Sequence, residues 1–224
     1  MMRGFKWTVL LCAGILGAAT LGGCASTSKM IISDPPEASV NVNGNLVGTT
    51  PAKYNFDFNQ HTRYDLLVSK DGYISGSTTV YSDTAQASES ELHFNLEKDP
   101  SWDDTYECPA AKESLTIQIL PQFDQQATWQ RLVDAVTSHH SDIAKMDAVS
   151  GYVATAPITR SYKSGEVTIR TTFYANIIAD KTISLRFKIE SERSEANGTF
   201  TPWHRVFKED QELVQELQDR LGVK

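Results

Sequence analysis

Between residues 30 and 97 apolar side chains fall on every second position, in short runs separated by turn residues. Val40 and Val42 alternate with Asn41 and Asn43. Tyr54, Phe56 and Phe58 repeat the pattern, as do Tyr64, Leu66 and Val68, and then Leu92, Phe94 and Leu96. Successive side chains of a strand point to opposite faces, so a period of two puts one face in a core and the other in water. The connections are short: Asn43-Gly44, Gly48 to Pro51, Asn59 to His61, and Lys70 to Gly72. Short connections join antiparallel neighbours, because a parallel crossover needs a dozen residues or more. An all-β antiparallel sandwich is expected over 30–97.

Several spaced elements within it go together. SDPPEASVNVNGNLVGTTP (33–51) is followed by YDLLVSKDGY (64–73). A proline and small-residue opening, a Val-x-Val strand, an Asn-Gly turn, a Gly-x-Thr-Pro end and a Lys-x-Gly-Tyr turn resemble the PEGA domain family. The resemblance spans about 65 residues and implies a sandwich of scaffold type, extracytoplasmic and mostly without catalytic activity. Gly44 and Gly72 supply the φ > 0 that tight reversals need, and Pro51 favours an extended Thr50. Glu37 stands where the family usually has glycine, so the chain there is expected to avoid positive φ.

The rhythm then breaks. KDPSWDDTYECPAAKE (98–113) has two prolines, an acidic pair and no period, the marks of a linker. Trp102 and Tyr106 argue that it packs partly against a domain. From residue 114 to 224 the pattern mixes periods. Leu115, Ile117 and Ile119 alternate; Trp129, Leu132, Val133, Val136, His140 and Ile143 fall at helical spacing behind Asp124, a suitable N-cap. Val149 to Ala156 reads as extended. Val167 to Ile177 and Ile183 to Ile189 alternate as two strands, and Val206, Phe207, Leu213, Val214, Leu217 and Leu221 mark a last helix, with Thr201-Pro202 as its start. The expected order is β-α-β-β-β-α, an α+β domain with two helices on one face of a sheet.

The beginning of the chain has a different character. Arg3 and Lys6 precede an apolar stretch from Trp7 to Gly23, too short and glycine-rich for a spanning helix, which needs ~20 apolar residues. These are the parts of a secretory signal peptide over 1–23. Leu21-Gly22-Gly23-Cys24 resembles the lipobox of bacterial lipoproteins. That resemblance implies cleavage before Cys24, diacylation of its thiol and acylation of its new amino group, with 24–29 as a lipidated tether. Ala25, in place of the aspartate that signals inner-membrane retention, favours the periplasmic face of the outer membrane. Acyl chains contribute ~0.8 kcal/mol per buried CH₂, so three of them anchor a protein almost permanently.

Charge narrows the partners. Twenty-one basic and 28 acidic residues give −7, and loss of Arg3 and Lys6 takes the balance to −9, which argues against nucleic acid and against adhesion to anionic lipid. With Cys12 removed and Cys24 acylated, Cys108 is the last thiol, so no intramolecular disulfide is expected. It reads as an ordinary loop cysteine.

The search for chemistry returns little. His139 and His140 project ~100° apart on a helix and do not share a metal easily, and His139 with Asp142 lacks further ligands; a solvated helix end is the plainer reading. Asp103, Asp104 and Glu107 lack a calcium loop and read as a solvated acidic stretch. Ser138, His140 and Asp142 crowd one helix and cannot converge as a relay. Trp129 and Trp203 fall on the helical apolar stripes and read as core, which leaves Trp102 as the candidate partner contact. Asn197-Gly198-Thr199 reads as a turn rather than a sugar-attachment site. No cofactor and no metal are expected.

The sequence therefore points to a lipid-anchored envelope protein that binds or scaffolds a protein or cell-wall partner without performing a reaction. The alternative is an envelope hydrolase whose site is assembled in the C-terminal domain from His139, His140, His204 and Glu209. A third reading is a purely structural spacer. The anchor is directly testable: labelled palmitate is expected to enter the chain, and Cys24→Ser is expected to abolish incorporation and release the protein from the membrane fraction.

Overall fold

The computed structural model describes residues 26–84, 88–195 and 198–222. The signal segment, Cys24 and Asn197 of the sequon lie outside the described residues.

Among the described residues seven strands build the N-terminal domain: β1 (Ser26–Asp34), β2 (Ser39–Val42), β3 (Asn45–Thr49), β4 (Ala52–Asp57), β5 (Arg63–Ser69), β6 (Gly76–Tyr81) and β7 (Glu91–Asn95). They form two sheets, β4-β1-β7 and β3-β2-β5-β6. Between the sheets lie the residues the alternation selects: Val40, Val42, Phe56, Tyr64, Leu66, Val68, Leu92 and Phe94 are all buried. The sandwich is as expected, with one addition. β1 runs parallel to β7, from Met30 opposite Glu91 to Asp34 opposite Asn95. The chain between them is long enough for such a crossover. Strand β1 also begins at Ser26, so residues 26–29 of the expected tether are sheet, and the side chain of Lys29 is buried there, donating to the carbonyl of Glu89.

Two turns show what sets local conformation. Asn43 (φ 50°) and Gly44 (φ 79°) both take positive φ, as a two-residue hairpin turn requires. Glu37 departs from the expectation. Its φ is 62°, a region costing a non-glycine residue about 1–2 kcal/mol. The compensation is tertiary: its N–H donates to the carbonyl of Thr50 at 3.0 Å, and the N–H of neighbouring Ala38 to the Thr50 hydroxyl at 3.0 Å.

The segment expected to be a linker is instead folded into the molecule. It contains α1 (Pro100–Asp103), β8 (Thr105–Glu107) and α2 (Pro109–Lys112), and it buries Asp99, Ser101, Thr105, Cys108 and Ala110. Elements of three or four residues are too short to show a period, and much of what they bury is polar, so the sequence read as irregular.

The C-terminal domain continues with β9 (Leu115–Gln118), α3 (Gln125–His139), β10 (Ile143–Asp147), β11 (Tyr152–Thr155), β12 (Ile158–Tyr162), β13 (Val167–Ala179), β14 (Ile183–Ser194), β15 (Phe200–Pro202), β16 (Arg205–Phe207) and α4 (Lys208–Leu221). The α+β class is as expected, with more strands than the predicted order. β13 and β14 are long enough to pair in tandem. β13 takes β11 and then β12 along one edge, and β14 takes β9 and β15 along the other. Asp124 caps α3 as expected, its carboxylate accepting from Ala127 N at 2.7 Å. The last helix starts later than the sequence suggests. Thr201 and Pro202 belong to β15, while Val206 and Phe207 belong to β16. β16 pairs with β8, and that partner, supplied from 100 residues away in sequence, outcompetes the helix.

Both helices cover one face of the sheet. Leu132, Ala135 and Val136 of α3 and Leu213, Val214, Leu217 and Leu221 of α4 close over Val153, Phe173, Ala175, Ile177, Leu185, Phe187 and Ile189. At about 1.5–3 kcal/mol for each large buried side chain, this stripe is the main adhesive of the domain.

The two domains share a seam. Ile74, from the turn region of the sandwich, packs with Val167, Ile169 and Phe207 of the C-terminal domain. Asp99 N donates to Gly72 O at 2.9 Å, while Lys163 pairs with Glu97. Replacing Ile74→Ala removes the sandwich's contribution to that cluster. It is expected to cost about 2–5 kcal/mol, measured as a lowered urea midpoint for the full chain.

Candidate functional site

A groove of ≈480 Å³ opens along the seam, within the size range of small-ligand sites and at a domain interface, where such sites concentrate. The sandwich supplies Ser39, Ser69, Lys70, Asp71 and Tyr73, and the C-terminal side supplies Asp99, Trp102, Arg193 and Trp203. Each wall has a local cause. Ser39 and Ser69 sit opposite each other in the β2–β5 ladder. Gly72 turns with φ 80°, and a Cβ there would lie 3.7 Å from the Trp102 ring, in contact.

The opposite wall hangs on two arginines. Asp99 caps α1, accepting from the N–H (2.9 Å) and hydroxyl (2.6 Å) of Ser101 through one oxygen. Its other oxygen accepts from Arg193 at 2.7 Å, and Arg193 also reaches Glu195. Asp99 is 3 % exposed, so this charge-assisted pair is screened little. Arg205 donates to the carbonyls of Trp102 (2.9 Å) and Thr105, and its guanidinium lies 3.9 Å from the Trp102 ring centroid. Arg193 stands over Trp203 at 5.7 Å, and the two indoles are 6.5 Å apart. The sequence-selected contact Trp102 therefore lines a groove. Trp203, read from sequence as helical core, sits in the loop between β15 and β16 on the same groove, half-buried against the Ile74 cluster. Trp129 packs against the C-terminal core as expected.

A second, smaller cleft of ≈310 Å³ lies where α3 ends and α4 begins, lined by His139, His140, Asp142 and Glu209 among others. The expected solvated helix end is not what forms. His140, the extended residue just past α3, is 4 % exposed, and Asp210, in the first turn of α4, is fully buried. His140 Nε2 lies 3.3 Å from Asp210 Oδ1 without hydrogen-bond alignment, and Asp210 Oδ2 accepts from the Thr171 hydroxyl at 2.7 Å. His139 meets Glu216 at 2.8 Å. Burial opposes ionisation of Glu209, but its own backbone N–H and Arg160 prevail and hold its carboxyl below the usual range. Three of the four residues of the hydrolase alternative thus converge. His204 does not; it lies 4.0 Å from Glu107 elsewhere.

The remaining candidates separate. Asp104 accepts from the Tyr162 hydroxyl at 2.9 Å; burial first, and that carboxylate second, push the Tyr162 pKa to about 12. Glu107 pairs with Lys112, so Asp103, Asp104 and Glu107 form no shared site. Ser138 and Asp142 are exposed while His140 is buried. Among the described residues no group of three or more His, Cys, Asp or Glu is placed to hold a metal ion, and no helix is long and apolar enough to cross a membrane. Cys108 sits in the connection between β8 and α2, as the loop reading has it, but its side chain is buried in the C-terminal core, and burial raises its pKa.

Residues 27–98 match the family model of the PEGA domain. The chain carries a PEGA domain, and the sandwich of β1–β7 is that domain. Comparison with curated proteins gives no match. The geometry of the seam makes one demand that can be checked. Asp99→Ala leaves Arg193 with Glu195 as its remaining carboxylate and uncaps α1, for an expected loss of about 1–3 kcal/mol in urea unfolding. Asp99→Asn, which keeps a capping oxygen, is expected to lose less.

Proposed function

We propose that this is a lipid-anchored protein of the cell envelope, held on the periplasmic side of the outer membrane through Cys24. In this reading it binds or scaffolds an envelope protein or cell-wall partner without catalysing a reaction. The observation that carries the reading is the seam groove with Trp102 and Trp203 on its wall. It is concave, needs both domains to exist, and displays the residue types, Trp, Tyr and Arg, that dominate binding energy at interfaces. The lipobox-like run at Leu21–Cys24 supports the anchor. With β1 starting at Ser26, the acylated residue precedes the sandwich by two positions, about 7 Å of chain at ~3.5 Å each, so the PEGA domain rides close to the bilayer.

One observation favours a second reading, hydrolysis: the cleft that gathers His139, His140 and Glu209 in front of buried Asp210 and Thr171. Histidine backed by a carboxylate is the usual pairing for general-base chemistry. One experiment weighs both. Tagged full-length chain is cross-linked in cells and, in parallel, purified chain is incubated with isolated cell-wall sacculi. Binding predicts a captured partner that is lost at least tenfold in Trp102→Ala, with no soluble fragments released. Fragments that appear with the native chain and vanish with His140→Gln would replace the binding reading with the hydrolase.

A further inference from the structure

We infer that the seam groove is a saccharide site: its ligand is a neutral, hydroxyl-rich sugar chain seated between the PEGA domain and the Trp102–Trp203 wall. This rests on the reading that the partner docks in this groove, and it names the partner's chemistry.

The lining decides between ligand classes. Among the described residues no aliphatic side chain lines the groove; its apolar surface comes from the rings of Tyr73, Trp102 and Trp203. A peptide groove works through sockets for apolar side chains, through an open sheet edge or, for proline-rich segments, through aromatic walls; only the last suits this lining, and it would leave the facing serines unused. Sugar rings instead present C–H faces and edges to aromatic rings and hydroxyls to polar groups. Tyrosine and tryptophan suit that duty, with an apolar body and a polar handle.

Charge excludes the ionic classes. Among the described residues, both cationic side chains on the lining are engaged: Arg193 through its two terminal nitrogens with Asp99 and Glu195, its Nε alone lacking a partner, and Lys70 with the carbonyl of Pro36 at 2.5 Å. Glu37 and Asp71 add exposed carboxylates at the rim. A phosphate or polyanion finds no unengaged arginine fork, and acidic and basic groups on the lining roughly balance, so neither sign of ligand is drawn in strongly.

Neutral hydrogen-bonding capacity is what remains. Among the described residues, the hydroxyls of Ser39, Ser69 and Tyr73 and the indole N–H groups of Trp102 and Trp203 have no hydrogen-bond partner in the protein. Two serines face each other across one ladder on the sandwich side, with indoles on the opposite side. Hydroxyls both donate and accept, so such a wall matches a ligand whose own groups do the same. The rigidity of the frame supports this use. Asp99, Arg193 and Arg205 fix the indole wall before any ligand arrives, and preorganised walls waste little affinity on ordering.

The test uses the full lipidated chain in a detergent without a sugar headgroup. Pentasaccharides of glucose and of N-acetylglucosamine are titrated calorimetrically. At least one is expected to bind saturably. Ser39→Ala with Ser69→Ala, at positions whose hydroxyls support nothing else in the fold, is expected to weaken it about tenfold. Trp203→Phe is expected to weaken it too. Affinity unchanged in the double serine variant overturns the inference, since the sugar then binds elsewhere. If neither pentasaccharide binds while an envelope protein is still captured in a Trp102-dependent manner, the saccharide inference fails and the docking reading stands. If neither the sugar nor a Trp102-dependent partner is found, both fail.

Discussion

Asp99 is where the molecule's two halves are held in one arrangement: its backbone N–H donates to Gly72 O of the sandwich, and its buried carboxylate pairs with Arg193 of the C-terminal sheet. Asp99 closes the first turn of α1 with one oxygen and takes Arg193 of β14 with the other. That single carboxylate therefore sets the position of Trp102, three residues further on, relative to a strand 94 residues away in sequence. A buried pair is weak as a source of net stability but costly to break, since either partner alone is left charged and desolvated. The pair thus acts less as glue than as a registration mark.

A second buried polar group does comparable work where α3 ends and α4 begins. Asp210, fully buried at the start of α4, is held by Thr171 from the sheet and faces His140 at the end of α3. Position favours the carboxylate there, because the first turn of a helix carries partial positive charge. Polar groups inside an apolar layer fix how helices sit on a sheet only when they are matched, and the same matching gathers His139, His140 and Glu209 around one cleft. The groove and the cleft both lie where short irregular segments meet long regular ones.

Much of the fold was legible. Period-2 alternation marked the strands of the sandwich, and the same rule found β13 and β14, whose buried set Val167, Ile169, Thr171, Phe173, Ala175 and Ile177 is the one the alternation names. Helix α3 was announced by Asp124 and its stripe. The candidate site was much less legible. Trp102 was singled out because an aromatic is unusual in a polar stretch, but Arg193, Arg205 and Asp99 carry no local signal. From sequence Trp203 reads as helical core because Val206 and Phe207 sit where they would continue the α4 stripe. His140 was read as solvated because nothing nearby in sequence reveals that Asp210 comes to meet it.

The sequence by itself determined which residues can be inside, since alternation and helical spacing are properties of neighbours along one chain, and it determined the turns whose φ only certain residues reach cheaply. Tertiary structure alone decided the parallel pairing of β1 with β7, the folding of 98–113 into the interior, the strand state of 205–207 and the positive φ of Glu37. In each case the deciding partner is a backbone group or charge far away in the chain. Its strength depends on burial, and burial exists only once the sheets and helices have packed into their cores.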